Sequence, residues 1–292
     1  MKLSKYFAIA LFVLSAQAHG TSENSTLLTG LHENIPIGKI DDVELSINIA
    51  FPEKYSAKPR PVILLVHGGG FISGDKSRKN KQIVKFSTRG FVAASAMYRL
   101  APKHKFPSAI EDIKLAVRFL KANADKYHID PERIIVSGSS AGSYLAVMVG
   151  VTGNSTYFSD HGLYTDVDSS VRAVAAQSSP IPDLTNPRYA QLSWVKRLMP
   201  ENTADKSAIL AAMSPVTYLD VNDPPFFLSH GDEDPVVPVE LSREFVLELE
   251  KIDHVFEYHE VKGGTHSYTK SAPKQGKVVF SKYLSFINKW SK

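Results

Sequence analysis

A serine hydroxyl is a weak nucleophile unless the backbone aims it and a neighbouring base removes its proton. One stretch of this chain is built for that: Gly138-Ser139-Ser140-Ala141-Gly142, between a short apolar run at 134–136 and a helix-like run at 143–151. The pattern reads as strand, sharp turn and helix, with Ser140 at the tip. Small residues two positions either side of the serine let the two backbones approach closely. The first amides of the helix then face any negative charge that develops beside the hydroxyl. G-x-S-x-G is only moderately specific by itself, so its partners decide the reading.

Acyl transfer through serine needs a base, an acid to orient it, and donors for the tetrahedral oxyanion. His266 lies in Gly263-Gly264-Thr265-His266-Ser267, a small-residue loop just after the last expected strand. The acid candidates lie in His230-Gly231-Asp232-Glu233-Asp234-Pro235, after the strand before it. Pro235 biases Asp234 toward extended backbone, which suits a held carboxylate and makes it the preferred acid. Asp232 follows Gly231 at the turn itself and is expected to cap the turn or meet solvent. The oxyanion donors are expected in His67-Gly68-Gly69-Gly70-Phe71, where consecutive glycines leave amides unobstructed and permit positive φ. The Ala141 amide adds a donor from the helix start. No Lys-Ser/Thr follows the glycine run, which disfavours a phosphate loop.

The elements that must position these groups follow from hydrophobic patterning. Residues 61–67 (P-V-I-L-L-V-H) are almost continuously apolar and branched, as in a strand buried on both faces. Residues 91–98, 133–137, 171–178, 225–230 and 255–261 share that pattern or a weaker form of it. Residues 43–51 alternate and are expected as an early edge strand, preceded by a loose polar segment at 21–36. Helical spacing recurs at 110–124, 239–252 and 278–290. Strands alternating with helices predict an α/β fold, a mainly parallel sheet with helices on both faces and ligands beyond the strands' carboxyl ends. Residues 181–218 break the rhythm and are expected as a short lid insertion.

The bulk composition bounds the rest. With 292 residues, 43% hydrophobic and 22% charged, the chain suits one α/β domain. The net charge is only +4 and the lysines are scattered, which argues against nucleic acid as a partner. Met1-Lys2-Leu3-Ser4-Lys5, an apolar stretch at 6–14 and Ala16-Gln17-Ala18 read as a secretory leader at 1–18 with cleavage expected after Ala18. Export to a periplasm or the medium is therefore expected. The apolar stretch is about half the roughly 20 residues a membrane span requires, so no span is expected. There is no cysteine, which removes disulfides and thiolate chemistry. His104, His128, His161, His254 and His259 show no metal-ligand spacing, so neither metal nor cofactor is expected.

Together, Gly138–Gly142, His67–Gly70, Tyr98-Arg99-Leu100-Ala101-Pro102, His230–Pro238 and Gly264-Thr265-His266 resemble the α/β-hydrolase esterases with an HGGG motif. These are the hormone-sensitive-lipase-like and feruloyl- or acetyl-esterase-like group, and the likeness runs from about residue 35 to 290. It implies a single α/β-hydrolase domain at 19–292, with Ser140 as nucleophile, Asp234 as acid, His266 as base, and Gly69, Gly70 and Ala141 as amide donors. Ser139 and Ser143 depart from the pattern, where many relatives carry an acidic residue and a glycine. Phe71, Trp194 and Leu198 are candidates for lining an acyl or alcohol pocket, against an ordinary core role. Arg99 and Asp112 are expected to join a strand end to the next helix, and His67 to brace the glycine loop.

The function so implied is a secreted serine carboxylic-ester hydrolase. It would act through an acyl-enzyme on short-chain acyl esters, of small molecules or of plant polysaccharide bearing acetyl or feruloyl groups. The alternatives are an amide hydrolase (peptidase or arylformamidase-like) and a catalytically silent hydrolase fold that binds partners. The few residues between leader and first strand leave no room for a large N-terminal helical cap, so an open pocket is expected.

Overall fold

Alternate residues of the strand Arg60–Val66 enter different helical layers: Val62, Leu64 and Val66 face one, Ile63 and Leu65 the other. This two-sided burial is why the segment is apolar without interruption. The structure, a computed structural model, describes residues 28–292 apart from 55 and 154. The leader expected at 1–18 lies outside the described residues.

Eight strands form one sheet: β1 (Gly30–Ile40), β2 (Val43–Phe51), β3 (Arg60–Val66), β4 (Val92–Ala96), β5 (Ile129–Ser139), β6 (Ala173–Gln177), β7 (Phe226–Gly231) and β8 (Phe256–Val261). Their order is β1-β2-β4-β3-β5-β6-β7-β8. β1 and β2 pair antiparallel with each other, and β2 antiparallel with β4; every other pairing is parallel. Helices Ser108–Ala122, Ala141–Val151 and Glu240–Lys251 cover one face. Helices Asn80–Ser87 and Pro273–Trp290 cover the other. The chain runs outward from β3 to β4 and then returns past β3 to β5. Connections from β3 and β5 therefore diverge and leave a crevice at their carboxyl ends, where such folds place ligands. The sheet and its two helical layers are those expected of an α/β-hydrolase.

Two expectations about the N-terminal side need correction. Part of the segment expected to be loose, 21–36, is the start of β1, which pairs along β2 from Gly30 opposite Phe51 to Ile40 opposite Val43. Residues 43–51 are consequently the second strand and not the edge. The pairing shifts register between His32 and Ile35 and again between Pro36 and Gly38. Such irregularities, together with a proline that an outermost strand tolerates, erase the period-two signal.

Residues 181–218, expected as a lid, lie between β6 and β7. They form helices Pro187–Ala190, Ser193–Leu198 and Lys206–Ala212. Ile181, Leu184, Tyr189, Val195, Leu198 and Met213 are buried in the main core. The Tyr144 hydroxyl donates to the Met213 carbonyl at 2.8 Å, and the Leu184 amide donates to Ser214 Oγ at 2.8 Å. The insertion is thus a packed part of the domain. Among the described residues no helix is long and apolar enough to cross a membrane.

Candidate active site

Ser140 stands between β5 and the helix Ala141–Val151 with φ 56° and ψ −130°. A non-glycine residue adopts that conformation only when its surroundings impose it. Here the Ser140 amide donates to the Gln177 carbonyl at 2.9 Å, and its own carbonyl accepts from the Ser143 amide at 2.9 Å and the Ser143 hydroxyl at 2.5 Å. The flanking glycines are compulsory. A Cβ on Gly138 would sit 2.1 Å from the Gly142 carbonyl oxygen, and one on Gly142 would sit 2.4 Å from that of Val66. Ser143, one of the two departures from the resembled pattern, thus braces the turn through its hydroxyl.

The glycine loop follows β3 directly. Gly69 and Gly70 have φ 139° and 60°, and a Cβ on Gly69 would lie 1.8 Å from the Ser73 carbonyl oxygen. The Gly69 carbonyl accepts from the Ile72 and Ser73 amides at 3.2 and 3.1 Å, which closes the turn. Among the described residues the amides of Gly69 and Gly70 donate to no protein acceptor. Ala141 opens its helix, so its amide has no preceding turn to bond. His67 braces this loop as expected. Its Nδ1 lies 3.0 Å from the Gly68 carbonyl, its ring stacks on Tyr98 at 4.3 Å, and the Tyr98 hydroxyl donates to the His67 carbonyl. Burial pushes the His67 pKa down, keeping the ring neutral.

At the other side of the crevice, the Nδ1 of His266 meets Oδ2 of Asp234 at 2.7 Å. The Asp234 side chain is fully covered and accepts three further bonds. His230 Nε2 reaches Oδ2 at 3.1 Å, while the Val236 and Val237 amides reach Oδ1 at 2.8 and 3.0 Å. Burial alone would raise this carboxyl's pKa, but the bonds from His230, His266 and the two amides outweigh it and hold the pKa well below the usual carboxylate range. An ionised carboxylate only accepts, so His266 must carry its proton on Nδ1. Its Nε2 then presents a lone pair, on a ring whose side chain is 23% exposed.

Two loops are locked so that this pair can form. A Cβ on Gly231 would fall 2.1 Å from the Gly264 carbonyl oxygen. The Glu233 amide donates to that same carbonyl at 2.9 Å, and the Gly263 amide donates to Asp232 Oδ1 at 2.6 Å. Asp232, expected to cap its own turn or face water, instead ties the acid loop to the histidine loop. His230 had no expected role. Its Nε2 donates to Asp234 and to the Val237 carbonyl at 3.0 Å, with Nδ1 against Ser242 Oγ at 2.7 Å. Its place four residues before Asp234 carries no signal by itself, because the turn that brings them together depends on Gly231.

Gly69, Gly70, Ser140, Gln177, Ser178 and His266 line one cavity of about 440 Å³, with Ser139 and residues 267–270 completing the wall. The structure therefore brings Ser140, the glycine amides and His266 to one space. Phe71, Trp194 and Leu198 are not in that wall. Phe71 is 2% exposed, edge-on to Tyr144 and 5.5 Å from Trp194, and Leu198 is buried. Phe71 and Leu198 belong to the main core, and the partly buried Trp194 packs against it. Arg99 clamps Asp112 with Nε at 2.9 Å and Nη2 at 2.8 Å from Oδ1, joining the end of β4 to helix Ser108–Ala122.

The chain is also similar to known proteins. Esterase LipC of Mycobacterium tuberculosis is 30% identical over 235 residues, covering 78% of this chain and 58% of LipC. The chain thus spans little more than half the length of that curated relative. Among solved structures, a bifunctional GH43-CE protein of Bacteroides eggerthii is 27% identical with a TM-score of 0.76, covering 90% of this chain and 38% of that one. Esterase Est2 of the planctomycete Thermogutta terrifontis is 25% identical with a TM-score of 0.73, covering 88% and 91%. It has also been solved with propionate bound. The BD-FAE family matches residues 47–249, most of the sheet and both turns that flank its crevice. By that match the chain belongs to the BD-FAE family of α/β-hydrolase esterases.

Proposed function

We propose that this chain is a serine carboxylic-ester hydrolase acting on short acyl esters of small molecules or of polysaccharide. The observation that carries the reading is the 2.7 Å bond from His266 to a buried, ionised Asp234, on a cavity that also holds Ser140 at its strained turn. His266 Nε2 takes the Ser140 proton as Oγ attacks the ester carbonyl. The oxyanion forms beside the amides of Gly69, Gly70 and Ala141, which need no reorganisation to receive it. Collapse expels the alcohol, which takes the proton from His266, and leaves an acyl group on Ser140. Water deprotonated by His266 then attacks that acyl-enzyme, releasing the acid and regenerating the hydroxyl.

The propionate complex of the Thermogutta esterase favours a short acyl group, and the bifunctional GH43-CE neighbour favours a sugar alcohol. The leader expected at 1–18 supports work outside the cytoplasm. The test is hydrolysis of p-nitrophenyl esters from acetate to long-chain acyl. Acetate release should be fast, fall with chain length, and drop by roughly 10⁶-fold in Ser140→Ala. Inertness of the wild-type chain toward every ester, with amides cleaved or nothing cleaved, would reject it.

A further inference from the structure

A second cavity, of about 460 Å³, opens beside the catalytic one and shares Ser139, Gln177 and Thr269 with it. It runs down between helices Asn80–Ser87 and Pro273–Trp290, over the ends of β3 and β5. Its wall carries three cations, Lys79, Lys85 and Arg89, and no carboxylate. No carboxylate lies within ion-pair distance of any of the three among the described residues. Lys270, at the mouth of the catalytic cavity, extends the positive edge. Burial without a compensating anion pushes the Lys79 ammonium pKa down, a cost that a bound anion would relieve.

The rest of the lining suits a sugar. Phe280 is 44% exposed and stacks at 5.7 Å on Tyr283, giving a flat aromatic face, while Gln82, Thr88 and Thr269 offer hydrogen-bonding groups at the rim. The volume lies in the range of small-ligand sites. We propose that this cleft is a subsite for a carboxylate-bearing sugar, a uronate, carried by the ester that Ser140 cleaves. The inference rests on the esterase reading and sharpens its substrate class. The sugar lies on Phe280 with its carboxylate among Lys79, Lys85 and Arg89, and the ester reaches Ser140 past Ser139, Gln177 and Thr269, which line both cavities.

The test compares acetylated methyl glucuronide with acetylated methyl glucoside, which differ only in the carboxylate. Wild-type kcat/KM should favour the glucuronide roughly tenfold, the effect of a few partly exposed ion pairs. In Lys79→Gln/Lys85→Gln/Arg89→Gln that ratio should fall to about one, through KM for the glucuronide; a ratio taken within one variant is insensitive to loss of folded protein. Equal rates on the two sugars in wild type, or an unchanged ratio in the variant, overturn the subsite. Should wild type hydrolyse neither sugar ester nor p-nitrophenyl acetate, the esterase reading fails instead. Calorimetric titration of Ser140→Ala with methyl glucuronide then decides the cleft alone: binding that exceeds methyl glucoside supports it, and equal or absent binding overturns it.

Discussion

Asp112 and Asp234 are both carboxylates whose side chains are completely covered, and both are held by a cationic or imidazole side chain plus backbone amides. They differ in what their partners face. Arg99 is only 4% exposed and spends its guanidinium on Asp112, Glu111 and a carbonyl, so that site is closed and joins a strand to a helix. His266 is 23% exposed and turns its second nitrogen to a cavity. A buried charge pair is structural when every donor is consumed, and becomes chemical when one partner keeps an unspent face beside a reactive group. Residue types alone do not separate the two cases.

Substitutions at three positions break or sharpen that contrast. Asp234→Asn should lower kcat by roughly 10⁴-fold, because an amide no longer dictates which nitrogen of His266 carries the proton. Its effect on stability should also depend on pH with a definite sign. The Asp234 carboxyl has a folded-state pKa depressed below its unfolded value, so its stabilisation is complete above the ordinary carboxylate range, near pH 4, and is lost as pH falls through the folded value. Urea melts should show a constant gap between wild type and Asp234→Asn from about pH 5 to 7, narrowing below about pH 4. A gap that widens in acid would contradict the assignment.

Arg99→Met should do the opposite. Leaving Asp112 buried and unpaired should cost about 3–5 kcal/mol of stability, read as a lowered urea midpoint, while kcat of the folded fraction stays within about twofold. A large loss of kcat with the midpoint intact would make the Arg99 site catalytic after all. The smallest effect is expected at His230. His230→Phe removes one charge-assisted bond to Asp234 and should lower kcat roughly tenfold with KM unchanged. His230→Gln, which retains a donor, should restore part of it. Equal behaviour of the two variants would reduce His230 to packing.

Much of this site was legible in the chain. The G-x-S-x-G turn, the glycine run and the two late loops announce themselves because tight backbone approaches admit only glycine, and that restriction is local. β3 and helix Ala141–Val151 were equally plain, since burial on every side leaves an unbroken apolar run. β1 was not, because its bulges and outward position left no period to read. Nor were the roles of Asp232 and His230, which depend on contacts with loops tens of residues away or on a turn whose closure is invisible in one dimension. Residue type leaves Phe71 and Trp194 open between pocket lining and core, and the structure buries Phe71 against Tyr144.

The chain by itself determined which groups are able to react and roughly where each lies along the sheet, because small residues, branched runs and proline act on their immediate neighbours. Only the tertiary structure decided which carboxylate meets His266, which nitrogen of that ring is left facing the cavity, and that a cationic cleft opens beside the serine. Those outcomes depend on distances between segments that the parallel sheet draws together from far apart in sequence, and on how much water their packing excludes.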